Sequence, residues 1–82
     1  MKLLIADGNR TSRTILSAIT GRWGFDPIAV EDGYRAWQVM HQENPPHLLL
    51  LDWELPKLDG LDLCQRLRQR ECENPPYIIM LT

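Results

Sequence analysis

Long apolar runs are missing from this sequence. No stretch approaches the roughly 20 residues needed to cross a bilayer, so no membrane role is expected of it. A basic excess is missing too, since nine Lys and Arg face eleven Asp and Glu for a net charge of −2. A surface that tracks phosphates needs a surplus of positive charge, which argues against nucleic-acid binding. Cysteine is scarce: Cys64 and Cys72 form no disulfide framework and no metal-like cluster with His41 or His47. That pattern points to a reduced, cytoplasmic setting. A leader is not apparent either. MKLLIADGN carries one lysine and a short apolar run, but Asp7 follows and no small-residue cleavage site is visible, so the segment reads as a first strand. Aromatic residues are few, and Trp23, Trp37 and Trp53 do not form a stacking platform for bases.

What is present is an alternation. A chain of 82 residues allows one domain with a modest core. Leu3–Ala6 is continuously apolar, as expected for a strand covered on both faces. Asp7-Gly8-Asn9 follows as a loop, with Asn9 placed to cap a helix over Arg10–Gly21. Ser12, Ile15, Leu16 and Ile19 share one face of that helix, and Gly21 and Gly24, on either side of Trp23, end it. Phe25–Val30 reads as a second strand. Pro27 lacks a backbone donor and places this strand at a sheet edge.

Glu31-Asp32-Gly33 turns into a helix over Tyr34–Gln42, with Ala36, Trp37 and Met40 inside, closed by Asn44-Pro45-Pro46. His47–Leu51 is the most apolar strand. Gly60–Arg70 is a third helix with Leu63, Cys64 and Leu67 inward and Arg66, Arg68 and Arg70 on a solvated face. Tyr77–Leu81 is a fourth strand. The order β-α-β-α-β-α-β predicts an α/β fold, a doubly wound parallel sheet with helices on its faces.

Two of these strands end in an acid. In an open parallel sheet, ligands bind outside the carboxyl ends of the strands. Asp7, Asp52 and Thr82 all occupy such ends. They converge on one crevice if the first, third and fourth strands are neighbours, as an outer second strand implies. An aspartate there can attack a phosphoryl donor and form an acyl phosphate. A divalent cation commonly neutralises the charge of that transfer. Asp7 and Asp52 could hold Mg²⁺, which uses few carboxylates and keeps its waters.

The strand ending in Asp7, the run LLLLD into WELPKLDG at 48–60, and the strand IIMLT ending at Thr82 together resemble the receiver domain of two-component response regulators. The resemblance runs over the whole chain. It implies a flavodoxin-like sheet with strand order 2-1-3-4. It makes Asp52 the acceptor of a phosphoryl group from a histidine kinase or phosphotransfer protein. It also implies Mg²⁺ held by Asp52, by the backbone carbonyl of Glu54 and, through water, by Asp7. Thr82 becomes the switch hydroxyl, and Pro56 and Gly60 shape the loop. The domain is signalling in kind and not an enzyme.

Two departures matter. The family usually has a second acid after the first strand, where this chain has Gly8, so metal binding is expected to be weakened. The family also continues past the threonine with a helix, a lysine-bearing strand and a final helix. Residues 1–82 are therefore expected to form a receiver-like domain lacking that portion. Gly8 and the lysine's absence keep a second reading open, a pseudo-receiver that binds partners without phosphorylation. A phosphohydrolase of the haloacid dehalogenase type fits poorly, because Asp52-Trp53-Glu54 lies on the third strand. The fourth strand is expected to be an open apolar edge, favouring a homodimer or larger oligomer through that edge or by exchanged elements.

Overall fold

The computed structural model describes residues 1–70 and 74–81. Among these the chain runs β1 (Lys2–Ala6), α1 (Arg10–Arg22), β2 (Asp26–Val30), α2 (Gly33–Val39), β3 (Leu48–Asp52), α3 (Gly60–Gln69) and β4 (Tyr77–Leu81). The strands pair in parallel in the order β2-β1-β3-β4, the flavodoxin-like arrangement expected from the sequence.

Pro27 shows why β2 is outermost. The Asp26 amide donates to Met1 O and the Asp7 amide to Val30 O, so Asp26 and Val30 turn their backbone groups toward β1. The alternate residues Pro27 and Ala29 face outward, where the missing proline N–H breaks no ladder. At the other edge, the Tyr77 amide donates to His47 O and the Trp53 amide to Leu81 O. The outward backbone groups of β4 therefore belong to Ile78 and Met80.

Alternation along the strands sorts side chains between two faces. Leu4, Ala6, Leu49 and Leu51 pack with Ala36 of α2, Met40 at its C-cap, and Leu63 and Leu67 of α3 in one buried cluster. Burying one leucine side chain contributes about 1.5–3 kcal/mol, and this cluster is the main stabilising feature of a small domain. Leu3 and Ile5 point to the opposite face and are also fully buried. Among the described residues α1 is the helix on that side, and its main strand contacts are to β1 and β2. Toward β4 the face is open, leaving Tyr77 78% and Ile79 50% exposed.

That open face corrects the expected lining of α1. Thr20 is its buried residue, with Leu16 half-buried, whereas Ile15 and Ile19 are exposed. Trp23 follows as the C-cap and is exposed, and Gly24 makes the turn with φ +92°. The helix runs through Gly21 to Arg22.

α2 stops at Val39, earlier than the proline pair requires. His41 and Gln42 form single turn bonds back to Gln38 and Val39, and Asn44 takes a left-handed φ of +54°. α3 ends at Gln69, and Cys64 is half-buried at the border of its inner stripe. Arg70 is not merely solvated. It donates from Nη1 to Met40 O at 3.2 Å and lies over the Trp37 ring, fixing the end of α3 to the end of α2. Among the described residues no helix is long and apolar enough to cross a membrane.

Candidate functional site

Register builds the site. Ala6 of β1 is paired with Leu51 of β3, so the residues that follow, Asp7 and Asp52, leave the sheet side by side. Asp52 is in turn level with Leu81 of β4. Asp7 is buried and Asp52 half-buried. The Asp52 carboxyl is raised above its ordinary value, first by burial and then by the negative charge of Asp7, while the backbone amide dipoles at Glu54 and Trp53 pull the other way.

Asp7 accepts two hydrogen bonds from the start of α1 and the turn before it. Its Oδ1 accepts the Asn9 amide at 2.8 Å, and its carbonyl accepts Arg13 Nη1 at 2.8 Å. Asn9 then caps α1, accepting the Ser12 amide at 3.0 Å as its position suggested. The following residue, Gly8, faces the loop after β3. A methyl carbon added there would lie 3.3 Å from Pro56 Cδ, tighter than usual contact.

The loop from Trp53 to Asp59 returns the chain to α3. The Gly60 amide donates to Trp53 O at 3.1 Å, and Asp59 caps α3 through the Asp62 amide at 3.0 Å. Gly60 lies so close to the end of β3 that an added methyl carbon would be 2.1 Å from Asp52 O. Between this loop and the β1–α1 turn lies an open cleft of about 760 Å³ lined by Gly8, Asn9, Asp52, Trp53, Glu54 and Pro56, among others. A second recess of about 400 Å³ reaches Asp52 from α1 and Leu81.

The structure thus brings Asp7 and Asp52 together and puts Glu54 on the rim with its side chain exposed. Thr82 lies outside the described residues. Among those described, no group of three or more His, Cys, Asp or Glu side chains could hold a metal. The acidic set here is the pair, with glycine at position 8.

One buried acid escaped the sequence reading. Asp32 is 2% exposed, caps α2 by accepting the Arg35 amide at 2.7 Å, and lies 3.7 Å from Lys57 Nζ. Asp followed by Gly ahead of an apolar-periodic segment was the signal that could have marked it as a cap.

A doubly wound parallel sheet with a carboxylate pair at the ends of its central strands defines a class of α/β protein that works at the carboxyl edge of the sheet. The family model for the response regulator receiver domain matches residues 3–82. A chemotaxis protein CheY homolog of Campylobacter jejuni is 32% identical over 84 residues, an alignment that takes in 100% of this chain and 65% of that protein. The alkaline phosphatase synthesis transcriptional regulatory protein PhoP of Bacillus subtilis is 40% identical over 81 residues, 99% of this chain and 32% of that protein. The BeF3-activated N-terminal receiver domain of Klebsiella pneumoniae RstA superposes with a TM-score of 0.81 at 31% identity, over 98% of this chain and 65% of that one. The chain belongs to the response regulator receiver domain family. Receiver domains are signalling modules of two-component systems, and they generally bind Mg²⁺ at the phosphorylation site.

Proposed function

We propose that Asp52 accepts a phosphoryl group from a phosphohistidine on a histidine kinase or phosphotransfer protein. The observation that carries this reading is the placement of the Asp52 carboxylate beside Asp7 at the ends of adjacent central strands, open to a cleft large enough for a phosphoryl donor. In the transfer, a carboxylate oxygen of Asp52 bonds to phosphorus as the phosphorus–nitrogen bond of the donor breaks. The electron pair of that bond returns to nitrogen, and the donor imidazole leaves neutral by carrying a proton taken from solvent.

The residues present fit Mg²⁺ in a reduced form. Two carboxylates pressed together in a partly dry site repel each other, as the raised Asp52 carboxyl records, and a hard cation relieves that repulsion. Asp7, Asp52 and the backbone carbonyl of Glu54 would hold it, with water where the family usually has its second acid. The ion supplies charge neutralisation. The protein's own part is to hold Asp52 in line with the donor and to offer the Glu54 amide to the carboxylate end of the new mixed anhydride. By its place at the end of β4, Thr82 serves as the switch hydroxyl in this reading.

We read residues 1–82 as one receiver-like unit working in the cytoplasm as a signalling module and not as an enzyme. The open β4 edge favours a homodimer or larger oligomer. No nucleic acid or membrane contact is assigned to it.

The test is incubation with acetyl phosphate and Mg²⁺, followed by intact mass. The expected result is one added phosphoryl group, absent in Asp52→Asn. No addition, together with no change around Asp52 on adding beryllofluoride, would leave the second reading. That reading is a pseudo-receiver used for protein contacts, and Gly8 is the observation that favours it.

A further inference from the structure

The loop that carries Trp53 and Glu54 has little secondary structure of its own, yet it is fixed from below. Pro56 O accepts two amides, that of Leu58 at 2.7 Å and that of Gly33 at 3.2 Å. The first closes a three-residue turn around Lys57, whose φ of +69° is a left-handed value unfavourable for a side-chain-bearing residue. Such a turn persists only where its surroundings hold it. Here the surroundings are the first residues of α2.

Gly33 sits so close to the loop that an added methyl carbon would be 1.6 Å from Leu58 O and 2.6 Å from its carbonyl carbon. Beside it, the buried Asp32 carboxylate caps the Arg35 amide and faces Lys57 Nζ at 3.7 Å. A methyl carbon added at Gly8 across the cleft would lie 3.3 Å from Cδ of this same Pro56. The α2 entry therefore determines how close the loop stands to the carboxylate pair.

We infer that Gly33 and Asp32, which touch neither Asp52 nor Asp7 in the described contacts, are positioning residues for the metal and phosphoryl site, acting through the Pro56–Leu58 turn. This rests on the phosphoacceptor reading above. The steric contact at Gly33 is the dominant part. The Lys57–Asp32 pair is the lesser one, because Lys57 is mostly exposed and screened by solvent.

The test is a Mg²⁺ titration of the whole chain, followed through the Trp53 and Glu54 amide resonances, with thermal unfolding recorded beside it. In Gly33→Ala the half-saturating Mg²⁺ concentration should rise about tenfold, the usual scale for loss of a group that orients a metal ligand. A purely structural role would lower the melting temperature and leave that concentration where it was, and this result overturns the inference.

If Gly33→Ala does not fold, Asp32→Asn decides. It keeps a capping oxygen but loses the charge facing Lys57, and a rise of about twofold supports the inference while no rise refutes it. If the unaltered protein shows no response to Mg²⁺, the functional reading fails on its own. The positioning claim is then judged without metal: displaced Trp53, Glu54 and Gly60 amide resonances in either variant support it, and shifts confined to residues 32–35 and 56–58 overturn it.

Discussion

Replacing Gly60 with alanine should damage the fold and the site together. The added methyl carbon would stand 2.1 Å from Asp52 O and 3.1 Å from both the Asp52 carbonyl carbon and Met80 Cε, whereas ordinary contact begins near 3.4 Å. The nearest two atoms are backbone, so no rotamer change relieves the overlap. The end of β3 and the start of α3 must part by about 1 Å, or α3 must tilt off its buried Leu63 and Leu67. Overpacking of this kind costs about 1–3 kcal/mol, and the backbone contact places it at the upper end. A domain of 82 residues holds about 4–12 kcal/mol in all. The melting temperature should therefore fall by about 10–20 °C.

Because Asp52 moves with its carbonyl, the acetyl phosphate reaction should slow by about a hundredfold in protein that is still folded, the usual penalty for a misplaced reacting group. Gly21→Ala serves as the internal control. Gly21 is exposed within α1 with nothing within 4 Å of an added methyl carbon, so it should gain about 0.5–1 kcal/mol from helix propensity. Thermal melts and phosphorylation time courses on both variants decide. Gly60→Ala within about 0.5 kcal/mol of the parent protein, with an unchanged rate, would show that the contact at the end of β3 does not hold Asp52 in place.

Two further outcomes follow from charge and exposure. The Asp52 carboxyl is raised in the folded state, so the fold favours its protonated form. That contribution is fully present below the ordinary value of 3.8 and is lost as pH rises through the raised folded value. Asp52→Asn should therefore be more stable than the parent at pH 7, with the difference closing as the pH falls toward 3.8; urea midpoints across that range check it, and a variant less stable at pH 7 contradicts it. Ile79→Lys places a charge on the half-exposed face of β4, where it costs little in folding, and should shift any dimer seen by light scattering at micromolar concentration toward monomer. Unaltered protein that is already monomeric there removes the oligomer reading.

Much of this was legible in residue order. Strands sandwiched between helices need apolar runs without alternation, and Leu3–Ala6 and Leu48–Leu51 supply them. Pro27 announced its edge because a missing donor has only one comfortable place in a parallel sheet. Asp7 and Asp52 could be paired because both ended such strands.

What the sequence hid was which face a helix would find covered. Ile15 and Ile19 carry the right spacing, but spacing cannot say how far a helix lies across its sheet, and α1 sits mainly over β1 and β2. The end of α2 was misjudged because prolines mark where a helix cannot continue and not where it stops. Asp32 and Gly33 were read as a turn. Their contacts with residues 56–58 join distant parts of the chain, and no local pattern encodes that.

The two flanks of the sheet are unequal in what they offer to a further strand. On the β2 flank the outward-facing pair includes Pro27, which offers no hydrogen to a newcomer, while the β4 flank presents complete amides from Ile78 and Met80. A fifth strand, from the same chain or from another, therefore finds more hydrogen-bond partners beside β4 than beside β2.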